Sequence, residues 1–287
     1  MTHLAFDLHR PGRQTSAVIF ASPHSGRDYP ADFVAASGLD ETVLRSSEDA
    51  FVDLLFAPAP TLGAPLIAAR APRAWIDLNR APDELDPALI EGIARGPVNP
   101  RVVSGLGVIP RVVANGRAIY RHRITRAEAE ARIDGVWRPY HAALRGLIDE
   151  TLVGFGEAVL VDCHSMPHEA IAAHARPGRP LPQIVLGDRF GATAAPGIVA
   201  AIEAAFEREG FTVARNSPFA GAYVAQTYGR PARRQHVVQV EIDRALYLDE
   251  ARVVPGPGYV EMRRRLRAVI ASIVTIGRQG AVPLAAE

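Results

Sequence analysis

The chain has 287 residues, 48% of them hydrophobic and 22% charged, which is typical of a soluble globular protein with a large core. Its net charge of +1 gives no field that would attract nucleic acid or an anionic membrane, and its single cysteine excludes an internal disulfide. The N-terminus does not resemble a signal peptide, and no apolar run is long enough to span a bilayer. We therefore expect a cytoplasmic protein without a membrane or nucleic-acid partner.

Strand candidates alternate with helical stretches along the chain, which predicts an α/β fold with a largely parallel sheet. Apolar and β-branched runs predict strands at residues 17–21, 74–78, 158–161, 183–187 and 236–242. Helical periodicity predicts helices at about 125–152, with a break at Pro139, at 196–208 and at 259–276. Between 83 and 118, frequent glycine and proline predict a long functional loop. We predict a single domain over residues 1–287.

Two of the predicted strands end in the same way, with a His-Ser pair just past the apolar run. His24 begins the pair after the strand at 17–21, and His164 begins the pair after the strand at 158–161. Ligands and catalytic groups collect at the carboxyl ends of strands in an open α/β sheet. Two imidazoles there predict a catalytic metal site, where zinc typically has three protein ligands. A serine nucleophile is not expected, since the chain has no Gly-x-Ser-x-Gly elbow.

The third ligand is expected from an acidic pair that follows His24 in the chain. Glu48 and Asp49 lie where a helix is predicted to begin, with Ser46 or Ser47 as its cap. A carboxylate in the first helical turn would be held firmly and directed towards the strand tips. The alternative is a capping carboxylate that interacts with the helix dipole. Residue types alone leave both Glu48 and Asp49 open as ligands.

An acidic residue in the last predicted strand is the candidate general base. Glu241 lies in an apolar run, where a buried carboxylate is costly unless it is paired or used in catalysis. Beside a metal, such a carboxylate can take a proton from water and pass it to a leaving amine. Pairing with Arg244 is the structural alternative, and Asp243, expected on the opposite face of the strand, is the rival residue.

Asn79 and Arg80 follow the predicted strand at 74–78 and precede a proline-rich turn. An amide beside a guanidinium can present several donors to one carboxylate, and the arginine fork binds a carboxylate through two hydrogen bonds. We therefore predict that Asn79 and Arg80 bind a carboxylate of the substrate. The alternative is an internal salt bridge between Asp77 and Arg80.

Four motifs, at residues 22–26, 76–80, 162–167 and 239–242, resemble the successive motifs of the N-formylglutamate amidohydrolases. The resemblance extends over about residues 15 to 255, and the Pro-His-Ser-Gly and Asp-x-His-Ser-Met-Pro motifs together are specific. That family is similar in fold to the zinc carboxypeptidases and aspartoacylases. The resemblance therefore implies an α/β fold with a central mixed, mostly parallel sheet and helices on both faces.

The resemblance also implies roles for individual residues at the metal site. It implies one Zn²⁺ ion per chain, held by His24, Asp49 and His164, and it favours Asp49 over Glu48 as the acidic ligand. It further implies Glu241 as the general base. The order of these residues along the chain is similar to that of the carboxypeptidases.

For the substrate, the resemblance implies that Asn79 and Arg80 clamp the α-carboxylate. A second arginine, Arg111, Arg121 or Arg123, is expected to bind a side-chain carboxylate or the oxyanion. Tyr223 is also expected to bind the substrate. The loop at 104–111 departs from the family pattern, so the reaction class is better defined than the substrate. We expect hydrolysis of a small N-formyl or N-acyl amino acid, such as N-formylglutamate, to formate and glutamate. The alternatives are a same-fold hydrolase of another N-acyl amino acid or a peptide, and a non-catalytic carboxylate-binding relative.

Overall fold

The computed structural model describes residues 5–94, 96–113, 116–174, 178 and 180–276. The strands are β1 (Phe6–His9), β2 (Val18–Ser22), β3 (Leu66–Ala69), β4 (Ala158–Met166), β5 (Ile184–Gly187), β6 (Val213–Arg215), β7 (Gln235–Asp243), β8 (Leu248–Asp249) and β9 (Val254–Pro255). The helices are α1 (Ala31–Ala36), α2 (Glu41–Arg45), α3 (Val52–Phe56), α4 (Pro100–Val103), α5 (Arg126–Arg132), α6 (Arg138–Phe155), α7 (His168–Ala172), α8 (Pro196–Arg208), α9 (Tyr223–Tyr228) and α10 (Tyr259–Ile276).

A seven-stranded sheet, in the order β1-β3-β2-β4-β7-β5-β6, forms the centre of the fold. The neighbouring pairs β3–β2, β2–β4, β4–β7 and β5–β6 are parallel, whereas β1–β3 and β7–β5 are antiparallel. Strands β8 and β9 form a separate two-stranded ribbon. The expected mixed, mostly parallel sheet is therefore confirmed.

The central strands are buried on both faces because their side chains alternate between two apolar cores. In β2, Val18 and Phe20 point into the first core, while Ile19 and Ala21 point into the second. Helices α3, α8 and α10 contribute to the first core, and α5, α6 and α9 to the second. Helices thus cover both faces of the sheet, as the family resemblance implied.

The helix predictions agree closely with the structure. Helices α8 and α10 have the predicted bounds, and Thr125 caps α5 by accepting a hydrogen bond from the backbone N–H of Glu128. A π-helical turn, Ile133–Trp137, joins α5 to α6, so the irregularity precedes Pro139 and the helix continues through it. Pro139 lies in the first turn of α6. None of the helices in the described residues is both long and apolar enough to cross a bilayer.

Two predicted elements are wrong, and short ones were not predicted. Residues 74–78 form turns, not a strand, because the N–H groups of Trp75 and Ile76 both bond back to the carbonyl of Pro72. No helix begins at Ser46, which instead ends α2, and the next helix starts at Val52. Strands β1, β3 and β6, with four residues or fewer, were not predicted.

Candidate metal centre

Strands β4 and β7 bring four polar side chains to one face of the sheet. Asp162 and His164 alternate along β4 with residues that enter the first core, and Gln239 and Glu241 alternate in the same way along β7. The parallel register places Asp162 beside Gln239 and His164 beside Glu241. These side chains meet at the carboxyl ends of the strands, where the predicted site was expected.

His24 reaches the same edge from the turn that follows β2, the strand next to β4. The turn passes so close to the neighbouring chain that a Cβ on Gly26 would lie 2.1 Å from the carbonyl oxygen of Ala71. Only glycine avoids that clash, which gives the Pro-His-Ser-Gly motif a physical reason. Asp49, between α2 and α3, is tied to this turn because its N–H donates to the carbonyl of His24 at 3.0 Å.

His24, Asp49 and His164 converge into a cluster that could hold a metal ion. The Nδ1 atoms of the two histidines lie 3.2 Å apart. The Oδ2 atom of Asp49 lies 3.3 Å from Nδ1 of His24 and 2.9 Å from Nδ1 of His164. Tetrahedral ligands at 2.0–2.1 Å from a zinc ion are separated by about 3.3 Å, so this triangle is close to the size required. All three side chains are buried.

Each imidazole is oriented by a carboxylate on its other ring nitrogen. His24 Nε2 lies 2.8 Å from Asp77, and His164 Nε2 lies 3.0 Å from Asp162. A proton on each Nε2 would donate to the carboxylate and leave both Nδ1 lone pairs for a metal ion, as ligation requires. Asn79 supports this arrangement, since its amide nitrogen donates to Asp162 and its oxygen accepts from the backbone N–H of Val224.

Asp49 is held as a carboxylate by its neighbours. Arg244 donates to Oδ1 of Asp49 at 2.9 Å and Ser165 donates to the same atom, which leaves Oδ2 for the cluster. Burial alone would raise the pKa of Asp49, but hydrogen bonds from His164 and His24 lower it well below its usual range. Burial likewise opposes a charge on His164, yet Asp162 and Asp49 raise its pKa well above the ordinary value. Asp49 therefore remains ionised, which is the form of a carboxylate that can ligate a cation.

Glu241 faces the same cavity of about 400 Å³ as the two histidines. Its Oε1 accepts a hydrogen bond from Gln239, and burial raises its pKa to about 7, with His164 acting in the opposite direction. The predicted alternative, pairing with Arg244, is not formed, since the hydrogen bonds of Arg244 go to Asp49, Ser165 and the backbone of Ser46.

The placement predicted for Asp243 is wrong. Because strand side chains alternate with a period of two, Asp243 lies on the same face as Glu241, not on the opposite one. It lies at the end of β7, where its carboxylate meets His168 at 2.9 Å and accepts from the N–H of Ala245. These contacts give Asp243 a structural role at the strand end.

Four arginines line the cavity: Arg73, Arg80, Arg101 and Arg244. Arg73 donates to Asp77 at 3.1 Å, so Asp77 pairs with Arg73 and His24, and the alternative Asp77–Arg80 bridge is not formed. Arg80 is only 4% exposed, and it donates hydrogen bonds to the carbonyls of Leu106 and Asn79. Burial lowers the pKa of Arg80, and the nearby Arg73 and Arg101 lower it further. Within the described ranges, no carboxylate forms an ion pair with Arg80.

Other predicted residues lie outside the cluster. Glu48 accepts from Tyr29 at 2.7 Å and from Arg45 at 3.1 Å, so Asp49 is the acidic residue that joins the histidines. Arg111 is bound to Asp86 at 2.8 Å. Arg111 and Tyr223 line a neighbouring cavity of about 970 Å³, and a separate cavity is lined by Arg121 and Arg123.

Four residues have contacts at this centre that the sequence analysis did not assign: Arg73, Asp77, Asp162 and Arg244. Asp162 could have been found, since it precedes His164 by two residues on a strand and must share its face. Arg244 also had a signal, because it follows the strand that carries Glu241. Nothing in the sequence indicated that Arg73 would turn towards Asp77, because that requires the turn observed in place of the predicted strand.

Replacing Asp77 with asparagine should weaken metal binding by about 10- to 100-fold, the usual cost of losing a carboxylate that orients a metal-ligating histidine. The amide keeps the shape of the side chain but removes the charge that holds His24. Affinity would be measured by chelator competition with Zn²⁺ as the probe. Asp134→Asn, which removes an exposed carboxylate paired with Arg138, is the control and should leave affinity unchanged. Equal affinities for both variants would contradict the role of Asp77.

Comparisons with known proteins identify one family over most of the chain. A model of the N-formylglutamate amidohydrolase family matches residues 16–248. An N-formylglutamate deformylase from Pseudomonas aeruginosa is 30% identical over 261 residues, which cover 90% of this chain and 91% of that protein. The match therefore includes the metal cluster, Glu241 and the arginines of the cavity.

Solved structures give the same result. An N-formylglutamate amidohydrolase from Ralstonia eutropha JMP134 superposes with a TM-score of 0.90 at 37% identity, over 96% of this chain and 99% of that one. A gene product from Agrobacterium tumefaciens, at 16% identity, shares the fold with a TM-score of 0.65 over 95% of each chain. The chain belongs to the N-formylglutamate amidohydrolase family, hydrolases of non-peptide carbon–nitrogen bonds.

Proposed function

We propose that the protein is a zinc-dependent deformylase that cleaves N-formylglutamate, or a closely similar N-formyl amino acid, to formate and the free amino acid. The observation that carries the proposal is the buried triangle of His24, Asp49 and His164 facing Glu241 in one cavity. The two imidazoles and one carboxylate match the donor set of hydrolytic zinc sites. The deformylase from Pseudomonas aeruginosa supports the choice of substrate.

His24, Asp49 and His164 would hold the zinc ion, which supplies Lewis acidity that polarises the acyl carbonyl and lowers the pKa of water. Glu241 accepts the proton of the attacking water and delivers it to the leaving nitrogen. Arg73, on the wall of the same cavity, stabilises the negative charge that develops on the acyl oxygen. Arg80 binds the α-carboxylate, because it is a buried guanidinium whose own hydrogen bonds go to backbone carbonyls.

The proposal is tested on purified protein by metal analysis and an assay of formate release. We expect one zinc ion per chain, hydrolysis of N-formyl-L-glutamate, loss of activity with a chelator and recovery on adding Zn²⁺. N-acetyl-L-glutamate and a glutamyl dipeptide in the same assay separate deformylation from the two alternative hydrolase activities. A zinc-loaded protein that releases no formate would refute the proposal.

Replacing Arg80 with alanine should raise the KM for N-formyl-L-glutamate by about 100-fold and change kcat much less, because it removes charge-assisted hydrogen bonds to a carboxylate. The α-amide of the same substrate lacks that carboxylate and should be cleaved equally by the variant and the parent protein. Arg80→Lys should recover only part of the loss, since lysine keeps the charge but not the planar fork. An equal rise in KM for both substrates would exclude Arg80 as the clamp.

A further inference from the structure

Two of the four arginines that line the metal cavity are not paired with a carboxylate. Arg73 is paired with Asp77, and Arg244 is paired with Asp49. Arg80 and Arg101 line the same cavity, and no ion pair joins either of them to a carboxylate of the described residues. Two guanidinium groups without counter-ions in one cavity indicate a ligand with two negative groups, not one.

Arg101 differs from the other three arginines because its side chain has no hydrogen bond to the described residues. It lies in the short helix α4, whose first turn is capped by Asn99 through the N–H of Arg101 itself. Among the residues that the structure describes, no hydrogen bond or ion pair engages its side chain, which is exposed on the cavity wall. The side chain is therefore free to move towards a ligand, whereas the guanidinium of Arg80 is fixed by the carbonyls of Leu106 and Asn79.

Arg101 and Arg80 are close enough to influence each other. Both border the metal cavity and the larger cavity beside it, so they stand at the junction of the two. Burial lowers the pKa of Arg80, and the charge of Arg101 is among the groups that lower it further. A bound anion that contacts both guanidinium groups removes this repulsion, which makes the pair more favourable with a dianionic ligand than without one.

The other arginines near the junction do not line the metal cavity. Arg111 is held by Asp86 and by the carbonyl of Val103. Arg189 donates to the carbonyl of Gly221. Both line the larger cavity and are not part of the wall of the metal cavity. Arg101 is thus the arginine of the described wall that is available for a second carboxylate.

We propose that Arg101 binds the side-chain carboxylate of the substrate and so makes the site selective for acidic N-formyl amino acids over their neutral isosteres. The proposal rests on the proposed function, since it assigns the second carboxylate of the molecule whose α-carboxylate meets Arg80. It also assigns substrate choice to the irregular segment at 83–118, which the sequence predicts to be a functional loop.

The test compares N-formyl-L-glutamate with N-formyl-L-glutamine, which has the same shape and no side-chain charge. The parent protein should show a higher kcat/KM for the glutamate substrate, and Arg101→Gln should reduce that preference by about 10- to 100-fold, the range of a charge-assisted hydrogen bond. Activity on the glutamine substrate should change little. Arg117→Gln is the matched control, because Arg117 is exposed in the same segment and lines neither cavity.

Binding of the product provides a readout that does not depend on turnover. Calorimetry should show that Arg101→Gln weakens L-glutamate binding about 10-fold or more and leaves L-glutamine binding unchanged. The proposal is overturned if the variant keeps the preference for the glutamate substrate, if it slows both substrates equally, or if the parent protein has no preference. A parent protein that cleaves neither substrate refutes the proposed function, and the calorimetric comparison still decides the role of Arg101.

Discussion

Replacing His164 with alanine should remove the bound metal and abolish measurable hydrolysis. The change deletes one of three donor atoms and leaves the buried carboxylates of Asp49 and Asp162 without the imidazole between them. Mutation of a residue that only hydrogen-bonds to a metal ligand already lowers metal affinity by about 10- to 100-fold. Loss of a direct ligand should therefore exceed that range. Metal content after dialysis and formate release at saturating substrate measure the two effects.

His236→Ala is the matched control for this variant. His236 is also a buried histidine in a central strand, but it lies at the far end of β7, beside Glu157 and away from the cluster. Its removal should reduce stability without changing the metal content per folded chain. A His164→Ala protein that keeps full metal and full activity would exclude His164 as a ligand.

Replacing Glu241 with glutamine should reduce kcat by about 100- to 10,000-fold, the usual contribution of a general base, while metal content and fold are retained. The amide oxygen of glutamine can still accept the hydrogen bond from Gln239, so the local structure has little reason to change. Glu48→Gln is the control, since that buried carboxylate is bound to Tyr29 and Arg45 and does not line the cavity. A Glu241→Gln protein with parental kcat would exclude the base.

The pH dependence of kcat/KM provides a second check on Glu241. Burial raises its pKa to about 7, and only the ionised form can accept a proton. Activity should therefore fall as the pH decreases through that pKa and remain high above it. A cation held nearby favours the ionised carboxylate, which moves the acid limb to lower pH in the metal-loaded protein. This limb should be missing from the residual activity of Glu241→Gln.

The sheet and the two histidines could be predicted because both depend on local patterns. Long buried strands such as β4 and β7 have continuous apolar runs, and parallel strands place their carboxyl ends at a common edge. His24 and His164 follow directly from that rule. The conformation around Asp49 could not be predicted, since the chain passes through Phe51 with a positive φ of 64°, which its residue type does not indicate.

The arginines show where sequence reasoning stops. Arg111 was expected to contact the substrate, yet Asp86, which lies in the same irregular segment, holds it at a neighbouring cavity. Arg73 and Arg101 enter the metal cavity through turns and a short helix that have no periodic signal. The folded conformation decides which arginines are paired with a carboxylate, and residue types and spacing alone do not indicate those pairings.

The register of β4 and β7 has a consequence for how this protein could change over evolutionary time. His164 and Glu241 are opposite each other on a ladder of nine residue pairs, so their separation is set by two of the most constrained strands of the sheet. Arg101 lies in the short helix α4, outside the sheet. Mutations around α4 can therefore change the surroundings of Arg101 while the distance between His164 and Glu241 is preserved.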